Sequence, residues 1–176
     1  MTEQNSRQLI LLRHAKSAWP EADDHDRPLA PRGRRDAPAA GRWLRDADYL
    51  PNLVVCSTAS RARQTWALAA GYLGCAPQVI NDPRIYDGDV PALLVVVRET
   101  PEPVRTLLLV GHNPGLQELT LRLAGEAAGD ALRRAQEKFP TSAIAVLTWQ
   151  GPWSQLVPGA ARLAEFAVPR GKPPSS

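Results

Sequence analysis

Four short apolar runs, each stopping abruptly at polar residues, constrain the fold of this chain more than any other feature. QLILL (8–12) leads straight into Arg13 and His14, and TLLLV (106–110) leads into Gly111 and His112. LVVCS (53–57) is followed by TASRAR, and AIAVLTW (143–149) is the fourth run. Such runs, rich in branched aliphatics and bounded by turn residues, read as buried strands. PQVIN and RLAEFAV are weaker strand signals. Between the runs, roughly 33–44, 60–72, 91–99 and 114–123 carry helical spacing. Leu116, Leu119 and Leu123, for example, share one helical face. Strand and helix in succession predict an α/β domain whose mostly parallel central sheet is covered on both faces.

At 176 residues the chain is the size of one domain, able to bury about 70 % of its unfolded surface without staples. No linker divides it, so residues 1–168 read as a single catalytic domain. PRGKPPSS (169–176) reads as a flexible C-terminal tail. Lys and Arg outnumber Asp and Glu by 21 to 18, too small an excess for a nucleic-acid stripe. No apolar run approaches the ~20 residues of a membrane span, and MTEQNSRQ lacks the basic and apolar regions of a signal peptide. The two cysteines, Cys56 and Cys75, give neither a disulfide framework nor, with three histidines, a zinc site. A reducing cytoplasm is the expected location. The sequence does not specify an oligomeric state.

Ligands of open parallel sheets bind beyond the carboxyl ends of the strands, so the chemistry is sought there. Two of the three histidines, His14 and His112, follow apolar runs at that implied edge, and Arg13 and Arg61 emerge beside them. One such histidine would read as structural. Two with two arginines read as an anion site, because Arg presents a planar fork of donors to phosphate. Ser57, at the end of its strand, is a candidate to support His14 or the phosphate. Arg63 lies two positions beyond Arg61, hence on another helical face. Cys56 is separated from Arg61 by four residues and from Arg63 by six, neither the spacing of a cysteine-phosphatase loop. A buried thiol is the reading for Cys56. GHNPG lacks the glycine spacing of a dinucleotide fold.

LLRHAKS, PLAPRG, SRARQT and VGHNPG occur in the order found in the histidine phosphatase superfamily, and the chain most resembles its small SixA-like phosphohistidine phosphatases. The resemblance spans about two thirds of the chain. It implies a phosphoglycerate-mutase-like three-layer α/β/α sandwich with His14 as the phosphorylated nucleophile. Arg13, Arg61 and His112 complete the phosphate pocket it implies. The chain departs from the wider pattern at Ala15, where glycine is usual, and at Thr58, where proline is common. Ala15 requires the pocket rim to be built with ordinary dihedrals.

The chemistry of these residue types agrees. A neutral imidazole attacks a dianionic phosphoryl group without charge repulsion, provided nearby cations hold its pKa down. Transfer to His14 splits one displacement into two, the second by water. His112 is expected as an imidazolium donor, so the two rings would need opposite protonation states. No metal or other cofactor is called for by three fixed cations. A strong acid is not evident: Asp87 and Asp89 in YDGDV, and Asp23, Asp24 and Asp26 in EADDHDRP, are the candidates, and each reads first as a solvated loop charge. Imidazole leaves readily without a donor, whereas an alkoxide does not. Such a site favours phosphohistidine, other phosphoramidates or activated aryl phosphates; of these the expected substrate is a phosphohistidine-containing protein, admitted to a site that so short a chain leaves uncovered. A small phosphorylated metabolite, handled by a phosphatase or mutase, and a non-catalytic phosphate-binding module are the competing readings. His25 reads as exposed and Trp19 as core filling. Gly33 reads as a close approach of backbones near the nucleophile.

Overall fold

The computed structural model describes residues 6–174. Seven strands form one sheet in the order β3-β2-β4-β1-β6-β7-β5. They are β1 (Ser6–Arg13), β2 (Leu53–Cys56), β3 (Gln78–Asn81), β4 (Thr106–Gly111), β5 (Ala124–Ala127), β6 (Ile144–Gln150) and β7 (Ala161–Ala167). Five helices accompany them: α1 (Pro31–Asp46), α2 (Ser60–Ala70), α3 (Val90–Arg98), α4 (Gly115–Leu123) and α5 (Ala131–Glu137).

The period-two alternation of β1 decides which layer lies where. Leu9 and Leu11 face a core shared with Leu107 and Leu109 of β4, α3, and Leu116, Leu119 and Leu123 of α4. Ile10 and Leu12 face the opposite core, built with Leu108 and Val110, Ala40 and Leu44 of α1, and Ala62 and Trp66 of α2. Both faces of the central strands are therefore apolar, which is why the runs are continuous rather than alternating. The result is the expected three-layer α/β/α sandwich.

The left half of the sheet is parallel: β1 pairs with β4, β4 with β2, and β2 with β3. The right half departs from a simple succession, since β6 runs antiparallel to both β1 and β7. Only residues 151–160, with a short turn at Trp153–Gln155, join β6 to β7, and that link carries no crossover helix. The sequence pattern does not reveal β5 or α5. β5 (AGEA) carries no branched aliphatic, and α5 buries only Ala131 and Ala135.

Part of the stretch expected to be loose is held in place. Gly171 N donates to Asp36 Oδ1 at 2.9 Å, and Arg170 Nη1 donates to the Thr141 carbonyl at 2.8 Å. Residues 175–176 of that tail lie outside the described residues, as do 1–5 of the N-terminal segment. No helix among the described residues is long and apolar enough to cross a membrane.

Candidate active site

The sheet register builds the site. Arg13, the last residue of β1, pairs with Gly111, the last residue of β4, so the residues that follow, His14 and His112, emerge side by side. His14 N donates to the Gly111 carbonyl at 3.0 Å, and Ser57 N donates to the Val110 carbonyl at 3.0 Å. Three adjacent parallel strands thus deliver His14, His112 and Ser57 to one edge. Arg61 joins them from the first turn of α2. The two imidazole centroids lie 5.2 Å apart.

His14 is 6 % exposed, and its Nδ1 lies 2.7 Å from the Ala15 carbonyl oxygen. A carbonyl only accepts, so Nδ1 carries the proton and Nε2 keeps its lone pair. Burial, together with the His112, Arg13 and Arg61 charges, outweighs the Ala15 hydrogen bond and pushes the His14 pKa down to about 3. The ring is therefore held neutral at physiological pH, with the Nε2 lone pair unprotonated. Ala15 in turn donates its N–H to Thr65 Oγ1 at 2.9 Å, and its methyl is buried with Leu29 and Ala37. Among the described residues, positive φ outside glycine is confined to Asp48, Asp87 and Ser142, so Ala15 takes ordinary dihedrals. Gly33 provides the close approach: a Cβ there would lie 2.1 Å from the Lys16 carbonyl oxygen.

His112 differs from the expected imidazolium. Burial and the Arg61 charge hold its pKa at about 4, so the free enzyme keeps both rings neutral. Its Nε2 lies 2.7 Å from Ser57 Oγ, whose oxygen accepts from Ala59 N at 3.2 Å; with the Ser57 hydroxyl donating to Nε2, the proton of the neutral ring sits on Nδ1. Ser57 therefore fixes the plane of His112 rather than reaching His14. Arg13 Nη1 donates to the Phe139 carbonyl at 2.9 Å, an acceptor shared with Asn113 Nδ2 at 3.0 Å. Desolvation and the Arg61 charge lower the Arg13 pKa, the signature of two guanidinium groups facing a common space. Arg13 Nε, Arg61 Nε and His112 Nδ1 are buried without hydrogen-bond partners. Such unpartnered nitrogens are costly in a folded chain, and an anion is the ligand that suits them.

The carboxylate at this site is Asp24, one of three in its loop that read as solvated. Arg61 Nη1 donates to the Asp24 carbonyl at 2.6 Å and Nη2 to Asp24 Oδ2 at 3.1 Å. Tyr86 Oη donates to Oδ2, and Arg27 Nε donates to Oδ1 at 3.0 Å. The Tyr86 hydrogen bond, followed by those from Arg27 and Arg61, holds the Asp24 carboxyl well below the usual carboxylate range. It is an anchored anion with no proton to give at neutral pH.

Tyr86 also stands edge-on to His112 at 5.6 Å and to His25 at 4.9 Å. His25 Nε2 lies 2.8 Å from Thr58 Oγ1, so the residue where proline is common ties the 24–26 turn to the head of α2. Asp87 sits in a turn at φ 58°, and Asp89 caps α3 through Ala92 N. Arg63 faces outward, donating to the Thr58 carbonyl at 3.0 Å. Cys56 is buried, with its thiol pushed up to about 12 by burial. Trp19 is 79 % exposed rather than core, and the Arg27 guanidinium lies 3.8 Å over its ring. The sequence offers Asp24 only as one of five candidate loop carboxylates and marks neither Arg27 nor Tyr86, because their roles arise only when the loop folds onto α2. Among the described residues no three His, Cys, Asp or Glu side chains group to hold a metal ion.

Residues 9–93 match the histidine phosphatase superfamily (branch 1) profile. An uncharacterised protein of Mycobacterium tuberculosis is 44 % identical over 162 residues, covering 90 % of this chain and all of the relative. A candidate phosphohistidine phosphatase SixA of Nakamurella multipartitia is 35 % identical, with a TM-score of 0.83 over 93 % of this chain and 96 % of that one. The chain belongs to the histidine phosphatase superfamily. A further superfamily structure, the protein histidine phosphatase SixA complexed with tungstate, is 25 % identical with a TM-score of 0.72, over 93 % and 96 % of the two chains. The superfamily's phosphoglycerate-mutase-like architecture is the one seen here, with its layers around a mixed, predominantly parallel sheet.

Proposed function

We propose that this superfamily member is a metal-independent phosphatase that works through a phosphohistidine enzyme intermediate and acts on phosphohistidine-containing protein. One observation carries the reading: a buried neutral imidazole, with its Nδ1 proton fixed on the Ala15 carbonyl, stands 5.2 Å from a second imidazole between two guanidinium groups.

In the first step His14 Nε2 attacks phosphorus, a new P–N bond forms, and the bond to the leaving group breaks. Phosphorylation makes the His14 ring cationic, and the Nδ1–H bond to the Ala15 carbonyl stabilises that charge. Arg13 and Arg61 bind the phosphoryl oxygens through N–H donors not used by Phe139 and Asp24. His112, oriented by Ser57, donates a hydrogen bond to an oxygen on which charge accumulates. In the second step water attacks phosphorus, the P–N bond to Nε2 breaks, a proton passes to solvent, and phosphate leaves. Asp24 acts at one remove. It holds the terminal nitrogens of Arg61, so the guanidinium presents its Nε side.

The substrate class follows from the leaving group. The carboxylate that pairs with Arg61 is anchored and ionised, so a substrate that leaves without a strong acid is favoured. Imidazole is such a group. The likeness to SixA proteins supports the same class, and it supports a protein as carrier. Single-turnover measurements on a histidine-phosphorylated protein and on an alkyl phosphate ester test this directly. The histidine-phosphorylated protein should turn over faster. Faster turnover of the ester removes the substrate assignment.

A further inference from the structure

Away from the histidines, α1 and residues 169–172 border an open cleft of about 600 Å³. Arg35, Arg42, Arg170 and Lys172 line it, against the single carboxylate Asp46. Arg170 is paired with the buried Asp36, so the positive character of the lining comes from Arg35, Arg42 and Lys172. Asp46 is itself engaged by Arg45 Nε at 3.1 Å. Among the described residues Arg35, Arg42 and Lys172 have no carboxylate partner within ion-pair distance. Two rings complete the lining. Trp43 is stacked on Tyr49 at 5.8 Å, and Tyr72 lies 5.0 Å beneath the Arg42 guanidinium.

The wall formed by 169–172 is built, although it has no regular secondary structure. Asp36 is 1 % exposed and gathers Arg32 Nε at 3.2 Å, Arg170 Nη1 at 3.4 Å and Gly171 N at 2.9 Å. Burying a carboxylate is costly unless it is paired in this way. Gly171 is pressed so closely onto α1 that a Cβ there would lie 2.2 Å from the Arg35 carbonyl oxygen. The same wall is linked to the backbone that carries the nucleophile through residues 141–142. Arg170 holds the Thr141 carbonyl, and the next residue, Ser142, donates its N–H to the carbonyls of Arg13 and His14 at 3.1 Å each.

Arg, Trp and Tyr are the residues that concentrate binding energy at protein interfaces. Here they are held in place on an open, cationic surface joined through one loop to the nucleophile. We propose that this cleft is a docking surface for an acidic protein, the partner whose phosphohistidine enters the His14 pocket. The proposal rests on the phosphohistidine-protein reading above. The cleft steers and retains the carrier protein without touching the reacting phosphoryl group. Its charge therefore affects encounter with a protein and leaves small substrates alone.

The double variant Arg42→Glu/Lys172→Glu tests this with three substrates. They are a histidine-phosphorylated protein of net negative charge, a short neutral histidine-phosphorylated peptide, and p-nitrophenyl phosphate. On the acidic protein kcat/KM should fall about tenfold or more at low ionic strength, and the gap should narrow as salt screens the surface. On the peptide and the aryl phosphate the variant should match the parent, which also shows that it folds. Unchanged kcat/KM on the acidic protein, or an equal loss on the neutral peptide, overturns the docking surface. If the parent enzyme hydrolyses the aryl phosphate and neither phosphohistidine substrate, the functional reading fails and the docking surface falls with it.

Discussion

The Nδ1 proton of His14 is fixed on the carbonyl of Ala15 at 2.7 Å, which leaves Nε2 as the only ring nitrogen able to attack. Both this ring and His112 are neutral in the free enzyme, with pKa values pushed down to about 3 and about 4 by burial and then, in His112, chiefly by Arg61.

This neutrality sets the pH dependence of activity. An ordinary imidazole protonates near 6.5, and kcat/KM would then fall below that pH. Here kcat/KM, corrected for ionisation of the substrate, should stay level from pH 7 to about 5. An inflection near 6.5 that disappears in His112→Asn, or an NMR titration of the His14 ring protons centred near 6.5, would contradict the assignment.

Stability should respond in the same sense as it does for a paired carboxylate, because each ring has a folded pKa below its unfolded one. Below pH 6.5 the unfolded chain takes up protons on both histidines, while the folded chain does not until about pH 4 to 3. Folding free energy is therefore intact above 6.5 and is lost as the pH falls through that window, by at least about 3 kcal/mol from the two rings together. Chemical denaturation at pH 7 and pH 4.5 measures it, and His14→Gln should lose less over the same interval.

Much of this site is legible from the strand ends alone. Arg13, His14 and His112 each follow an unmistakable apolar run, and the parallel register of β1 with β4 does the rest. The antiparallel β6 escapes notice because a buried strand looks alike in either direction. Asp24 escapes for a different reason. Its sequence surroundings are those of a solvated loop, and only the fold of residues 24–26 onto α2 places it on Arg61. The protonation of His112 is likewise a property of burial, which the residue type alone does not convey.

Asp24 should reveal itself through binding more than through the chemical step. Asp24→Asn keeps the backbone carbonyl that holds Arg61 Nη1 and removes the charge that holds Nη2. KM for an aryl phosphate should rise and tungstate inhibition should weaken, each by about three- to tenfold, with kcat changed less. Tighter tungstate binding would mean that Asp24 competes for Arg61 rather than positioning it.

Ser57 should act through His112. Ser57→Ala removes the Oγ contact to His112 at 2.7 Å and the acceptor of the Ala59 N–H while leaving the backbone–backbone bonds of the strand end, so kcat should fall about tenfold with KM little altered. A rise in KM with kcat preserved would instead place the hydroxyl on the phosphate.

The covalent intermediate is the most direct test. Rapid acid-free quenching of the enzyme with a radiolabelled aryl phosphate, followed by peptide mapping, should find base-stable, acid-labile label on Nε2 of His14. His14→Ala should carry none and should turn over at least about a thousandfold more slowly. Stoichiometric label elsewhere, or an active His14→Ala enzyme with no label at all, would contradict the account.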